Sequence, residues 1–208
     1  MNNGIGERKI LNGVSLDIER HQVIGILGRN GCGKSCFLKI MTGQLQPQFK
    51  YISHNDIQVH HLYKKKGLIN YLPQHECHPA SLRLRQLLDF YGIDDKYFLE
   101  KYALFKEYAN KRFSNFSGGE RRLLEVLLVL EADTKYSILD EPFTHIMPLH
   151  IDMVKATIQD KKQQKGIIIT DHQYHNVLDI SDHTFLLKNG TMKAIESEED
   201  LREWGYIL

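Results

Sequence analysis

A short apolar run that leads directly into a glycine-rich loop constrains the fold of this 208-residue chain more than any other feature. The run spans residues 23–27, and the loop follows the pattern G-x-x-x-x-G-K-S. Glycines let the backbone N–H groups of such a loop turn toward a phosphate group, and the helix that follows adds its positive dipole end. The loop and the residue after it are Gly28, Arg29, Asn30, Gly31, Cys32, Gly33, Lys34, Ser35 and Cys36. We therefore predict a strand, a phosphate-binding loop and a helix that ends near Gly43.

Two side chains of this loop carry specific chemistry. Lys34 offers a point charge to the β- and γ-phosphates of a nucleotide, and Ser35 offers a hydroxyl group to Mg²⁺. A purely structural glycine-rich turn does not explain a lysine and a serine at these positions. The pattern is shared by many nucleotide-binding proteins, so it does not by itself identify the reaction.

Two further apolar runs, at residues 136–139 and 167–170, are typical of buried parallel strands. Asp140 and Glu141 follow the first run, and His172 follows the second. Ligands of open α/β sheets bind at the carboxyl ends of the strands. We therefore expect the two carboxylates to lie beside the phosphate loop.

Other patterns predict the remaining elements of the core. Residues 14–18 alternate apolar and polar side chains like a half-exposed strand, and residues 149–162 have a helical pattern. A hairpin is predicted over residues 184–194 with an Asn189-Gly190 turn, and Ser197 opens a last helix.

Residues from about 75 to 115 differ from the rest, because leucines and aromatic residues recur at helical spacing. We predict a helical subdomain at residues 75–116, inserted into a core formed by residues 1–74 and 117–208. Its aromatic side chains either form the subdomain's own core or expose a docking surface for a partner. The first interpretation is favoured for most of them, since aromatic residues mostly pack inside.

Composition excludes several classes of protein. Hydrophobic residues make up 42% and charged residues 25% of the chain, as in ordinary soluble domains. No apolar run approaches the ~20 residues that span a bilayer, and the first four residues lack a secretory pattern, so a cytoplasmic location is expected. A net charge of +1 with interspersed signs predicts no nucleic-acid partner.

The cysteines and histidines do not predict a metal site or a disulfide framework. Three cysteines, two of them in or beside the phosphate loop, are expected to be free thiols. The histidines lack C-x-x-C or H-x-x-x-H partners and are interpreted as surface residues. This applies in particular to His54, His60, His61, His145 and His150.

The segment N-F-S-G-G-E-R-R at residues 115–122 resembles the signature of ATP-binding-cassette (ABC) proteins. It lies between the phosphate loop and the acidic pair, and the resemblance extends from about Ile10 to Lys193. It implies an α/β P-loop ABC ATPase fold with a parallel core sheet, an antiparallel β subdomain and a small inserted helical subdomain. Details at residues 116–122, 140–143 and 169–172 look most like the ATPases of lipopolysaccharide export and of branched-chain amino-acid import.

The resemblance implies a role for each motif. Asp140 is the metal-side acid, Glu141 the general base for an attacking water, and His172 a switch residue near the γ-phosphate. Lys34, Glu141 and His172 are the catalytic set, while Ser35, Gln74 and Asp140 surround Mg²⁺. The signature contacts the γ-phosphate of ATP held by a second monomer, through Ser117, Gly118, Gly119 and Glu120.

Two positions depart from the family pattern. Family members carry an adenine-stacking aromatic residue near the start, where this chain has Ile5. After Glu141 they also have an aspartate that crosses the dimer interface, where this chain has Met147. Base recognition is therefore expected to be loose, or to rely on a partner or on another aromatic residue of this chain for stacking.

The resulting functional prediction is an ATP-binding and ATP-hydrolysing subunit that requires Mg²⁺. It would form a homodimer or a paired cassette head to tail around ATP and drive separate transmembrane permease subunits, lying at the inner face of the membrane. Two alternatives stay open. One is a soluble ABC ATPase that acts on a macromolecule in DNA maintenance, translation control or regulation; the other is a weakly hydrolysing switch, suggested by Met147.

Overall fold

A six-stranded, mostly parallel sheet forms the centre of the computed structural model, which describes residues 11–59 and 61–208. The strands are β1 (Val23–Leu27), β2 (Ser53–His54), β3 (Ile57–Gln58), β4 (Ile69–Leu72), β5 (Tyr136–Asp140), β6 (Gly166–Thr170), β7 (His183–Lys188) and β8 (Thr191–Ile195). The large sheet has the order β4-β5-β6-β1-β7-β8, and only β8 runs antiparallel to its neighbour. The short strands β2 and β3 pair separately as an antiparallel ribbon.

Helices cover the sheet and continue beyond its edge. They are α1 (Lys34–Thr42), α2 (Leu84–Tyr91), α3 (Asp95–Lys101), α4 (Gly118–Glu131), α5 (Pro148–Lys162), α6 (Tyr174–Ile180) and α7 (Glu198–Glu203). Every residue of β1 and β6 is buried, as expected for central parallel strands that are covered on both faces. The strand, loop and helix predicted around the phosphate loop are confirmed, and α1 ends at Gly43 with φ 80°.

The ladder register places the predicted motifs at one edge of the sheet. Ile26 of β1 lies opposite Thr170 of β6, and Asp140 of β5 lies opposite the same Thr170. Because these strands are parallel, the segments that follow them emerge at the same edge. These segments are the phosphate loop, the acidic pair and the stretch that contains His172.

The β7–β8 hairpin and the last helix also confirm the sequence predictions. Asn189 and Gly190 both have positive φ angles, 51° and 79°, which suit a two-residue turn between twisted strands. Ser197 caps α7 by accepting a hydrogen bond from the backbone N–H of Asp200.

The prediction of a strand at residues 14–18 is wrong. The burial of this segment does alternate: Val14, Leu16 and Ile18 are partly buried against the core, while Ser15 and Asp17 are exposed. No described residue pairs with this segment in a β-ladder, and a strand requires such a partner for its backbone groups. Two residues named in the sequence analysis, Ile5 and His60, lie outside the described part of the chain.

Aromatic residues of the segment before α4 are mostly buried, as expected from the sequence. Phe98, Phe105 and Phe113 are fully buried, and the rings of Phe98 and Phe105 stack with centroids 5.9 Å apart. This cluster is continuous with the buried leucines of α4. Phe90 is an exception, with 79% of its surface exposed.

Arg122, one turn into α4, joins three separate chain segments. Its guanidinium group donates hydrogen bonds to the carbonyl oxygens of Pro73 (2.7 Å), Asp140 (2.6 Å) and Glu141 (3.0 Å). The residue is only 4% exposed. Since a planar guanidinium presents several donors in a fixed geometry, Arg122 holds the ends of β4 and β5 against the start of α4.

We expect Phe98→Ala to lower the free energy of unfolding by about 3–5 kcal/mol, because it leaves a large cavity in a dry core. Phe90→Ala is the matched control, since the same side chain is removed from an exposed position, and it should change the free energy by less than about 0.5 kcal/mol. Urea unfolding followed by circular dichroism measures both. Equal losses in the two variants would contradict the assignment of Phe98 to the core.

We expect Arg122→Lys to lower the free energy of unfolding by about 2 kcal/mol or more, since one ammonium group cannot satisfy three carbonyl oxygens at these positions. The neighbouring Arg121→Lys should cost less than about 1 kcal/mol, because Arg121 makes a partly exposed ion pair with Glu76 and a distant contact with the Phe113 ring, both of which a lysine can retain. Thermal unfolding of the two variants side by side provides the comparison. If Arg122→Lys is as stable as Arg121→Lys, the three hydrogen bonds do not hold the segments together.

Candidate functional site

The phosphate loop is shaped by glycines at the positions where the backbone needs them. Gly31 and Gly33 have φ angles of 77° and 111°, which side chains with a Cβ rarely adopt. A Cβ on Gly28 would come within 2.5 Å of the Cys32 sulfur and 2.8 Å of the Leu187 carbonyl oxygen. The loop is therefore wound tightly against the end of β7.

Lys34 is buried at the base of the loop, with 6% of its surface exposed. Its ammonium group donates hydrogen bonds to the carbonyl oxygens of Gly28 (2.6 Å) and Arg29 (3.4 Å). The charge is thus fixed inside the curve of the loop. A lysine held in this way can bind the phosphate groups of a nucleotide.

Asp140 ends β5 with a carboxylate that is held by two hydroxyl groups. Thr170 donates to Oδ1 at 2.6 Å and Tyr71 donates to Oδ2 at 3.2 Å. Burial, followed by the charge of Asp140, raises the pKa of the Tyr71 hydroxyl, so this hydroxyl remains a donor. The orientation of the carboxylate is therefore set by β4 and β6, the two strands that flank β5.

Glu141 adopts a backbone conformation that is uncommon for a residue with a side chain, with φ 53°. Its N–H group donates to the Thr170 carbonyl oxygen at 2.7 Å, which holds the residue in this conformation. The carboxylate accepts a hydrogen bond from Gln74 Nε2 at 3.0 Å and lies 3.8 Å from Nδ1 of His172. Strained residues of this kind cluster at functional sites.

His172 projects from the end of β6 with half of its side chain exposed. The preceding Asp171 is fully buried and accepts hydrogen bonds from the backbone N–H groups of Phe143 (3.0 Å) and Gln173 (2.9 Å). Burial raises the pKa of the Asp171 carboxyl group above its usual value. Asp171 therefore ties the segment after Glu141 to the segment that carries His172.

Two cavities flank the phosphate loop. The one between the loop and His172 has a volume of about 330 Å³, and its lining comprises Gly28, Arg29, Asn30, His172, Tyr174, Tyr206 and Ile207. The other, of about 420 Å³, lies between residues 29–32 of the loop and the β7–β8 turn, and Trp204 and Tyr206 contribute aromatic walls to it. The sequence analysis did not associate these two C-terminal aromatic residues with the loop.

The predicted magnesium ligands offer the hard oxygen donors that this ion prefers. They are a hydroxyl from Ser35, an amide carbonyl from Gln74 and a carboxylate from Asp140. Gln74 uses its NH₂ group to contact Glu141, which leaves the carbonyl oxygen of its side chain for another partner. The donor set therefore fits Mg²⁺, and Ser35 lies in the first turn of α1, the helix that follows the loop.

The signature forms an exposed helix start on a different part of the surface. The Ser117 hydroxyl accepts a hydrogen bond from the Glu120 N–H, and the Glu120 carboxylate accepts one from the Ser117 N–H at 2.8 Å. Gly119 packs closely on the segment after Glu141, since a Cβ there would lie 3.0 Å from the His145 carbonyl oxygen. Among the described residues, no hydrogen bond joins residues 117–119 to the phosphate loop.

The structure thus brings together four of the predicted site segments and leaves the signature apart. Gln74, the acidic pair, His172 and the phosphate loop share one edge of the sheet. Prediction from the sequence missed Arg122, which connects the ends of β4 and β5, although an arginine inside the apolar face of α4 was a signal. It also missed Thr170 and Tyr71, whose importance depends on the strand register.

Comparison with known proteins agrees with this geometry. Residues 11–144 match the family model of the ABC transporter. The chain is 29% identical to the lipopolysaccharide export system ATP-binding protein LptB of Haemophilus influenzae, over 93% of this chain and 87% of that protein. It is also 29% identical to an uncharacterized ABC transporter ATP-binding protein of Rhizobium meliloti, over 88% of this chain and 73% of that protein.

Solved structures show the same fold. An ATP-binding subunit of an ABC transporter superposes with a TM-score of 0.80 at 21% identity, covering 94% of this chain and 87% of that one. The cassette MJ0796, in a dimeric post-hydrolysis state bound to ADP and Pi, superposes with a TM-score of 0.74 at 15% identity, covering 90% and 91%.

Within the described residues, no helix is both long and apolar enough to cross a membrane. The family match covers well over half of the chain, and the phosphate loop, the acidic pair and the signature all fall inside it. The chain belongs to the ABC transporter family and is an ATPase of the ATP-binding-cassette type.

Proposed function

We propose that the edge of the sheet hydrolyses Mg-ATP with Glu141 as the general base. The observation that carries this assignment is the Glu141 carboxylate, which lies between Gln74 Nε2 at 3.0 Å and His172 Nδ1 at 3.8 Å. A general base must lie within reach of the water that it activates and be held in a fixed orientation. Gln74, Thr144 and the strained backbone of Glu141 provide that orientation.

The remaining residues of the site divide into phosphate binding and metal binding. Lys34 and the backbone N–H groups of the loop bind the β- and γ-phosphates, while Ser35, Gln74 and Asp140 hold the metal. When bound, Mg-ATP supplies the γ-phosphoryl group and the cation that neutralises charge on its oxygens. Glu141 would accept the proton of the attacking water at its carboxylate. The half-exposed His172 lines the 330 Å³ cavity beside the loop, where it would meet the γ-phosphate.

The exposed signature supports a head-to-tail dimer. The N-terminus of α4 presents the Ser117 hydroxyl and free backbone N–H groups, a combination that binds anions. Among the described residues, these groups make no hydrogen bond to the chain's own phosphate loop, and a second copy or a paired cassette would bring them to the γ-phosphate. Dimeric cassettes are known among proteins of this fold.

We further propose that the subunit acts on separate transmembrane permease subunits and is peripheral to the inner face of a membrane. The names of its relatives support transport. Phe90 at the end of α2 is the most exposed aromatic residue of the proposed helical subdomain, residues 75–116, and offers a contact for a partner helix. This subdomain would transmit movement from Gln74, and residues 1–74 and 117–208 would form the ATP-binding core.

A weakly hydrolysing switch is the second candidate function. Met147 stands where the family has an interfacial aspartate, and it is 55% exposed beside the signature. A thioether there cannot accept a proton or form a charged hydrogen bond. The steady-state rate of ATP hydrolysis by the wild type, measured with and without membrane partners, distinguishes the switch from a transport motor.

We expect Glu141→Gln to slow ATP hydrolysis more than about 100-fold while Mg-ATP still binds, because only the proton acceptor is lost. Glu76→Gln is the matched control, since Glu76 is an exposed glutamate near Gln74 that contacts Arg121. Phosphate release and isothermal titration with Mg-ATP give the two readouts. Normal hydrolysis by Glu141→Gln would exclude Glu141 as the base.

We expect Glu141→Gln to dimerise when ATP is added, and the added change Ser117→Arg to abolish that dimer by placing bulk and charge at the partner's γ-phosphate. Ser197→Arg is the matched control, because Ser197 caps α7 with the same capping-box pattern, away from the signature. Size-exclusion chromatography with light scattering measures the mass. A dimer that survives Ser117→Arg would contradict the head-to-tail arrangement.

A further inference from the structure

Three side chains that can bind metals meet behind Gln74, two of them adjacent in the sequence and the third more than 45 positions away. They are the thiol of Cys77, the imidazole of His78 and the carboxylate of Glu125, which lies on α4. The sulfur lies 3.5 Å from His78 Nδ1 and 3.6 Å from Glu125 Oε1, and these last two atoms are 2.9 Å apart. The three donor atoms therefore form a compact triangle.

The buried carboxylate of Glu125 is only partly satisfied by the protein. Its side chain is completely buried, and its Oε2 atom has no hydrogen-bond partner. The nearest cation to Oε2 is the Nη1 atom of Arg122 at 3.7 Å, beyond hydrogen-bonding distance. A buried carboxylate oxygen without a hydrogen bond is costly and marks a site where a further ligand can bind.

The triangle has the dimensions of one face of a tetrahedral zinc site. Zinc binds sulfur at about 2.3 Å and nitrogen or oxygen at about 2.0–2.2 Å, which places neighbouring ligand atoms roughly 3.3–3.6 Å apart. The two separations that involve the Cys77 sulfur fall in this range. The distance between His78 Nδ1 and Glu125 Oε1, 2.9 Å, would have to increase by a few tenths of an ångström when a cation binds. The fourth tetrahedral position faces away from these three ligands.

An outer partner already orients the histidine. The Nε2 atom of His78 lies 2.9 Å from the hydroxyl oxygen of Tyr91 on α2. A metal-binding histidine commonly donates its second ring N–H to an oxygen in this manner, which fixes the ring and the tautomer. His78 is nearly buried, with 6% of its side chain exposed, so the ring has little freedom to turn away.

We propose that Cys77, His78 and Glu125 bind one borderline-soft divalent cation, with zinc preferred. A thiolate, an imidazole and a carboxylate form a donor set that zinc accepts and that Mg²⁺ disfavours because of the sulfur and nitrogen. This site is separate from the magnesium ligands at the edge of the sheet. It requires no nucleotide.

The proton balance of binding is defined. Partial burial, followed by the charge of Glu125, raises the pKa of the Cys77 thiol to about 12, so the thiol is protonated before the metal binds. Coordination forms the metal–sulfur bond and releases this proton to solvent. With Nδ1 of His78 bound to the metal, the ring proton lies on Nε2, where the Tyr91 oxygen accepts it. The thiolate and the carboxylate together neutralise the two charges of the cation.

The proposed metal site lies between the segment after Gln74 and helix α4, the two parts that would move during the proposed ATPase cycle. Cys77 and His78 follow Gln74 closely, and Glu125 lies on the helix that begins with the signature. A bound cation would fasten the chain after Gln74 to α4. Cys77 is itself exposed, which leaves a route for the metal to enter.

Cobalt(II) spectroscopy on the nucleotide-free full-length protein tests the site directly. We expect one equivalent of Co²⁺ to give tetrahedral ligand-field bands and the thiolate-to-cobalt charge-transfer band, which requires a Co–S bond. One equivalent of Zn²⁺ should displace the cobalt and raise the melting temperature, because the metal binds only the folded state. Absence of the charge-transfer band in the wild type overturns the proposal.

Four variants locate the ligands. Cys77→Ser and His78→Gln should weaken zinc binding by more than about 100-fold, and Tyr91→Phe by about tenfold, as expected for an outer partner. His175→Gln is the matched control, since His175 also lies beside a glutamate, Glu198, at 3.4 Å but has no thiol near it. It should leave zinc affinity unchanged.

The variants also distinguish metal binding by Cys77 from metal binding by the other two cysteine thiols, Cys32 and Cys36. A charge-transfer band that persists in Cys77→Ser arises from Cys32 or Cys36 and overturns the proposal, as does an equal loss of affinity in His175→Gln. Circular dichroism of each variant shows whether a loss of binding reflects unfolding. The wild-type cobalt spectrum decides the question even if a variant does not fold.

Discussion

The parallel ladder β5–β6–β1 is the constraint on which the functional edge of this molecule depends. Thr170 lies opposite both Asp140 and Ile26, so the segments that follow three strands emerge together. The same residue then uses its hydroxyl to orient the Asp140 carboxylate and its carbonyl oxygen to hold Glu141. A slip of one residue would turn Thr170 to the opposite face and separate these groups.

Arg122 extends this arrangement from the sheet to the helices. One buried guanidinium group binds the carbonyl oxygens that follow β4 and β5, and it belongs to the helix that starts with the signature. Its neighbour Glu125 lies one turn further along α4 and faces Cys77 and His78. The chain is therefore attached to α4 on both sides of Gln74, before it through Arg122 and after it through Glu125. Coupling between nucleotide chemistry and the segment 75–116 has a physical route along this helix.

The sequence was most informative where a motif depends on local backbone geometry. The phosphate loop, the end of α1 at Gly43, the Asn189-Gly190 turn and the cap at Ser197 all follow from conformational preferences of the residues concerned. The buried parallel strands were also recognisable, because both of their faces are apolar. The prediction failed at residues 14–18. An alternating apolar and polar pattern indicates that one side of the segment is buried, but it does not show that a neighbouring strand pairs with it.

By itself, the sequence determined the fold class, the family resemblance and the residue types available for phosphate and metal chemistry, because these depend on local pattern and on motif order. The tertiary structure decided which of those residues meet. It placed Glu141 between Gln74 and His172, assigned Thr170 and Tyr71 to Asp140, and brought Trp204 beside the phosphate loop. It also joined Cys77 and His78 to Glu125, which is 47 or more positions away. Contacts at such separations depend on strand register and helix packing, and no local preference encodes them.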